Sequence, residues 1–219
     1  MKRSDLRDRL AKVIDATWDM LCKTQGFYDQ ALRAAVRDFY NGEMDAFAFI
    51  DKQVYLIEEQ FRRAWNEGMR SLGLDPQEDM EPEWQDVLDE RIQQEIDAIE
   101  GFAGDIEAAA ADKENNPIAP LLARVSMWSN RYNELVSLAV ATCGRNKLEW
   151  VMGDTEHCET CLRLAGCVDW SDNWTESGWL PQTNMLRCGG YKCQCSLVPT
   201  TKRRTPGGVF TLMDGYGIT

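Results

Sequence analysis

Six of the chain's eight cysteines fall within the 38 residues from Cys158 to Cys195. Cys158 and Cys161 form a C-x2-C pair, the spacing at which two thiolates on a tight turn face one metal ion, and Cys193 and Cys195 form a C-x-C pair. Residues two apart on a strand face the same side, so the second pair can also converge on one ion. Four sulfurs at these spacings point to a tetrahedral zinc site built from Cys158, Cys161, Cys193 and Cys195. Cys188, five residues before Cys193 across Gly189-Gly190, is the alternative ligand for either place in the C-x-C pair. Cys167 is the spare, equally readable as a small buried hydrophobe.

His157 is the only histidine and lies next to Cys158. A surface or hydrogen-bonding role ranks first for it, a zinc ligand in place of one cysteine second, and a base for a nucleophilic cysteine third. One histidine cannot supply the pair of a zinc protease or the set of a multi-histidine nuclease, and neither G-x-x-x-x-G-K-[ST] nor G-x-S-x-G occurs. A zinc ion closed by four thiolates keeps no place for water or substrate, so the expectation is a structural site and no enzyme. The rival enzyme reading takes Cys158 or Cys188 as a nucleophile beside His157, and it requires an alkylatable thiolate in the metal-loaded protein.

The elements before this stretch read as helices. Leu6, Leu10, Val13, Ile14, Trp18 and Leu21 recur at helical spacing behind Ser4, and a second pattern runs from about Phe27 to Tyr40, ending at Asn41-Gly42. From Glu43 to Leu72 the stripe Phe47, Ile50, Val54, Ile57, Phe61, Trp65, Met69, Leu72 keeps one face apolar until Gly73. Pro82 opens a fourth helix with Trp84, Leu88, Ile92, Ile96 and Ile99 inward, which Gly101 and Gly104 are placed to kink or end; its acidic side chains show no clear inward pair. A hinge or loop is expected around Asn115-Asn116-Pro117. Leu121, Val125, Trp128, Tyr132, Leu135 and Ala139 then mark a fifth helix closing at Cys143-Gly144.

From Lys147 the pieces shorten: LEWVM as a strand, a helical turn ended by Gly166, another capped by Ser171 and ended by Gly178, and SLVPT as a closing strand. The expected fold is mainly α, an elongated N-terminal helical domain with a small C-terminal α+β zinc-stapled module. Its domains are 1–145, helical with an acidic stretch at 75–114; 146–200, the Cys-rich zinc-binding module; and 201–219, a flexible or partner-ordered tail. A module so poor in regular structure needs a staple, which a metal supplies.

The net charge is -12. Residues 75–114 carry fifteen Asp and Glu against Arg91 and Lys113, which leaves the remainder near neutrality and argues against duplex DNA binding by the middle of the chain. A solvated helix face is the plain reading of this stretch, and an acidic face that docks on a basic protein the other. DNA contact through Lys202, Arg203 and Arg204, with Lys192, defines a second function, a nucleic-acid-binding zinc module acting in packaging or ejection. No run reaches the roughly 18 apolar residues of a membrane span. The opening MKRSDLRDRL has no apolar stretch of signal-peptide type, so the expected setting is a reducing cytoplasm, where thiolate metal sites persist and disulfides seldom do.

A last helix with WSNRYNELVSLA, then a strand and GDTEHCETCLRLAG, then CGGYKCQCSLVPT, together resemble the Mu F-like minor head proteins, the head morphogenesis family of tailed bacteriophages. In that family a C-x2-C is followed by a His-Pro-x-Cys-Arg-Cys type segment and a short strand. Cys158 and Cys161 match the first pair and Cys193-Gln194-Cys195 the last, whereas Cys188-Gly189-Gly190-Tyr191 stands where His-Pro would be. The resemblance covers about residues 120–200. It implies a structural minor head protein that docks on portal or major capsid protein during head assembly in the host cytoplasm, and its retention in the virion.

Overall fold

In the computed structural model the described residues are 25–190 and 193–216; the amphipathic segment expected from Ser4 to Lys23 lies outside them, as do Tyr191 and Lys192. Four long helices come first: α1 (Gln25–Asn41), α2 (Ala46–Ser71), α3 (Pro82–Ala111) and α4 (Ala119–Cys143). Asp45 caps α2 by accepting the Ala48 N–H at 2.8 Å. Gly42 and Gly73, both at φ +80°, turn the chain out of α1 and α2 as the sequence predicts.

α2 lies at the centre of the helical body, against α1, α3 and α4. Its closest approach is to α4: a Cβ on Gly68 would stand 2.6 Å from the Ala139 Cβ, so the residue must be glycine for the two backbones to meet. The buried face of α2 is Phe49, Gln53, Leu56, Ile57, Gln60, Phe61, Ala64, Trp65, Gly68 and Met69. Phe47, read as the start of the stripe, is 82% exposed. The apolar pattern misplaces it because two glutamines share the inner face. Gln60 donates to the Trp128 and Ser129 carbonyls at 2.9 and 3.3 Å and Gln53 to the Leu32 carbonyl at 3.3 Å, which satisfies both amide nitrogens while each Oε1 stays buried without a partner among the described residues.

α3 runs unbroken through Gly101 and Gly104 to Ala111. Both glycines are exposed, each costing about 1 kcal/mol of helix propensity, while their neighbours Phe102, Ala103 and Ile106 are buried and hold the helix. The acidic stretch does send one carboxylate inward. Glu95 meets Arg131 Nε at 3.2 Å, and Glu134 on α4 takes Arg91 at 2.6 Å and Arg131 at 2.7 Å, so α3 is tied to α4 by a half-buried charge network.

The C-terminal module follows α4 directly. β1 (Lys147–Val151), α5 (Glu159–Leu164), β2 (Val168–Trp170), α6 (Ser171–Ser177), β3 (Ser196–Pro199) and α7 (Gly208–Met213) complete the described chain. The strands form an antiparallel sheet in the order β2-β1-β3, with Leu148 opposite both Asp169 and Pro199 and Trp150 opposite Leu197. Leu148 and Trp150 point into a second core, where Trp150 packs on Trp174 at 5.9 Å. Val140 and Ala141 at the end of α4 belong to this core, so the last turn of α4 serves both units. Ser171 is the first helical residue of α6, with Trp170 in the cap position and no side-chain cap bond.

The described part of the tail, expected as a flexible or partner-ordered end, forms α7 and packs on α5, β2 and α6. Asp169 is fully buried and gathers it: the carboxylate takes Arg204 Nε at 2.5 Å, the Val209 N–H at 2.8 Å and the Asn173 amide at 2.7 Å. Burial alone would raise its pKa, but the bonds from Arg204, Asn173, Val209 N–H and Trp170 N–H hold it below the ordinary value. Gly208, at φ +62°, has no room for a Cβ against that carboxylate, and Val209 behind it is fully buried.

Candidate metal centre

The C-x2-C pair sits at the start of α5, with Cys158 in the cap position and Cys161 one turn on. Their sulfurs are 3.5 Å apart. Cys193 and Cys195 lead into β3, and the Cys161 and Cys193 sulfurs are 3.8 Å apart. A tetrahedron with Zn–S bonds of about 2.3 Å has S–S edges of about 3.8 Å, so each of these two pairs stands at the spacing of two sulfurs on one ion. Iron–sulfur clusters hold their cysteines farther apart, because the cluster's own atoms lie between them.

Among the described residues, the thiols that lie within 4.8 Å of one another form two trios: Cys158, Cys161 and Cys188, and Cys161, Cys193 and Cys195. Cys161 belongs to both. The quartet read from spacing is therefore divided between the trios, and Cys188 stands beside the C-x2-C pair instead of replacing a member of the C-x-C pair. Cys167 is buried and apart from both groups, as is Cys143. All seven described cysteines are free thiols. Either trio could hold a metal ion.

Backbone amides are turned toward these sulfurs. Cys158 accepts from the Cys161 and Cys188 N–H groups, Cys188 from Gly190, Cys193 from Cys195, and Cys195 from Gly153. Gly189 and Gly190, at φ +60° and +75°, make the turn that presents the Gly190 N–H, and the Gln182 carbonyl lies where a Gly190 Cβ would be. Gln182 is the one non-glycine residue with positive φ among those described, and its amide donates to the Cys195 carbonyl at 3.2 Å.

The thiols do not share their protons evenly. For Cys195 the thiol bonds from Cys161 and Cys193 lead, helped by the Gly153 N–H, and its pKa falls to about 3. Burial pushes Cys158 up, but its amide and thiol bonds bring it down to about 7. Cys161, bonded to Cys193, Cys195 and Cys158, is raised, and burial raises Cys188 to about 11. The bonds thus favour the thiolate at Cys195 and Cys158 and the thiol at Cys161, Cys188 and Cys193. A cation is what would let all of them ionise.

His157 is half-buried beside Cys195. Its Nε2 lies 3.0 Å from the Gly153 carbonyl, which can only accept, so Nε2 carries the proton. In the neutral ring Nδ1 is then unprotonated, and it lies 3.6 Å from the Cys195 sulfur. The Gly153 carbonyl thus orients the ring with Nδ1 toward Cys195.

Gly153 is the residue that spacing did not disclose. It offers its N–H to Cys195 and its carbonyl to His157, and a Cβ there would stand 2.4 Å from the Gln194 carbonyl oxygen. The one signal in the sequence is a glycine two residues after a strand, a mark of close backbone approach. The basic triplet offers less to phosphate than its sequence suggests: Lys202 meets Glu149 at 2.6 Å and Arg204 meets Asp169. None of the helices among the described residues is long and apolar enough to cross a membrane. Comparison with family models, curated proteins and solved structures gives no match for the chain.

Proposed function

We propose that the chain is a non-enzymatic head-morphogenesis protein of the tailed-phage minor head type, in which zinc clasps the C-terminal module into a surface that docks on portal or major capsid protein. The observation that carries the reading is the convergence of five thiols from 158–161 and 188–195, with backbone amides turned to their sulfurs. Sulfur donors at tetrahedral spacing favour zinc and a closed, structural site. The identity with a head protein rests on the resemblance of residues 120–200 to the Mu F-like proteins. Exposed Leu162, Trp170 and Phe210 on the module give it apolar groups to bury against a partner.

The test is co-expression with the portal protein encoded in the same genome, followed by size-exclusion chromatography. The chain is expected to co-elute with the portal and to separate from it after chelation or with Cys158→Ser/Cys161→Ser. Elution apart from both portal and major capsid protein, with metal bound, overturns the reading. The nucleic-acid reading is weakened by the carboxylate partners of Lys202 and Arg204.

A further inference from the structure

We propose that the cysteine cluster is built for two zinc ions that share the Cys161 thiolate. This deepens the proposed staple and rests on it.

The first ground is the grouping. One tetrahedral ion needs four donors that are all mutual neighbours, and the described thiols instead make two trios joined at Cys161. The row runs from Cys188 and Cys158 through Cys161 to Cys193 and Cys195, and it ends at His157 Nδ1, 3.6 Å beyond the Cys195 sulfur. In a tetrahedral zinc site the edge between a sulfur and an imidazole nitrogen is about 3.6 Å. The inner ion takes Cys161, Cys193 and Cys195, and His157, which neighbours Cys195 alone of the three, closes in on binding to make a Cys3His set. The outer ion takes Cys158, Cys161 and Cys188.

The second ground is the histidine. Its Nε2–H is held by the Gly153 carbonyl, the arrangement that fixes a metal-ligating imidazole with its other nitrogen free for the ion. The third is charge. Five thiolates against one dication leave three negative charges uncompensated in a cluster whose Cys161, Cys193 and Cys195 are buried; against two dications they leave one.

The test is the metal content of the full chain purified without chelator, with protein quantified by amino-acid analysis. Two zinc ions per chain are expected, and the cadmium-exchanged protein is expected to give two cadmium resonances. Cys188→Ser is expected to lose one ion and keep the other, with the tryptophan near-UV signal of the module retained. One ion per chain in the parent protein, or one cadmium resonance, overturns the two-ion site while leaving the staple intact. No bound metal overturns both. If Cys188→Ser does not fold, the parent's ion count and cadmium spectrum decide.

Discussion

Removing the metal should unfold the C-terminal module and spare the helical body. A metal that joins Cys158 to Cys195 closes a loop of 38 residues. On the chain-entropy account, opening such a loop releases about 4 kcal/mol to the unfolded state, before any metal–sulfur bond is counted. That equals the whole of what a core this small ordinarily supplies, about 3–5 kcal/mol. The body helices α1 to α4 have 17, 26, 30 and 25 residues, against 6, 7 and 6 in α5 to α7. Chelation, or Cys158→Ser with Cys161→Ser, should therefore leave at least four-fifths of the far-UV helical signal. Near-UV circular dichroism should lose the share of Trp150, Trp174 and Trp179, buried in the module core, and keep that of Trp65, Trp84 and Trp128 in the body. A chelated, metal-free protein with unchanged near-UV signal would refute the reasoning, since the module would then be held by its apolar contacts alone.

Other outcomes follow from the same geometry. In the metal-free protein at pH 7, iodoacetamide should modify the module cysteines, Cys167 included, before Cys143, which stays buried in the helical body with its thiol raised to about 12; mass spectrometry reads the order, and metal should protect the module thiols. Gly153→Val places side-chain atoms against the Gln194 carbonyl, so metal affinity measured by competition with a chromophoric chelator should fall at least tenfold. Gly68→Val forces α2 from α4 and should lower body stability by about 2 kcal/mol or more in urea, with metal content unchanged. Asp169→Ala should free the tail at a cost of about 2–3 kcal/mol, read as protease cleavage near Arg203. The Asp169 pKa is depressed in the fold, so its contribution is complete above the ordinary carboxylate value and is lost as pH falls below about 4; cleavage of the parent protein by an acid protease should rise over that range.

Much of the helical body could be read from local chemistry. Glycines at 42 and 73 need positive φ and stop two helices, and Pro82 opens a third where its missing N–H costs nothing. What escaped was decided by distant partners. Phe47 lost its inward place to Phe49 because Gln53 and Gln60 found backbone carbonyls across the interface, which apolar periodicity cannot register. β2 is three residues long, too short to show alternation, and α7 forms where Asp169, some forty residues earlier, binds the Val209 N–H. The cysteines themselves were conspicuous, and the closure of Cys158 with Cys161 follows from one helical turn. Their grouping depends on where the Gly189-Gly190 turn delivers Cys188, and no spacing rule carries that.

The most direct measurement is the metal bound to the purified full-length chain, by elemental analysis against protein concentration. A cysteine clasp requires zinc at one equivalent or more, removed only together with the module's near-UV signal. A folded chain that binds no metal, and whose clustered cysteines all react freely with alkylating agent, contradicts it.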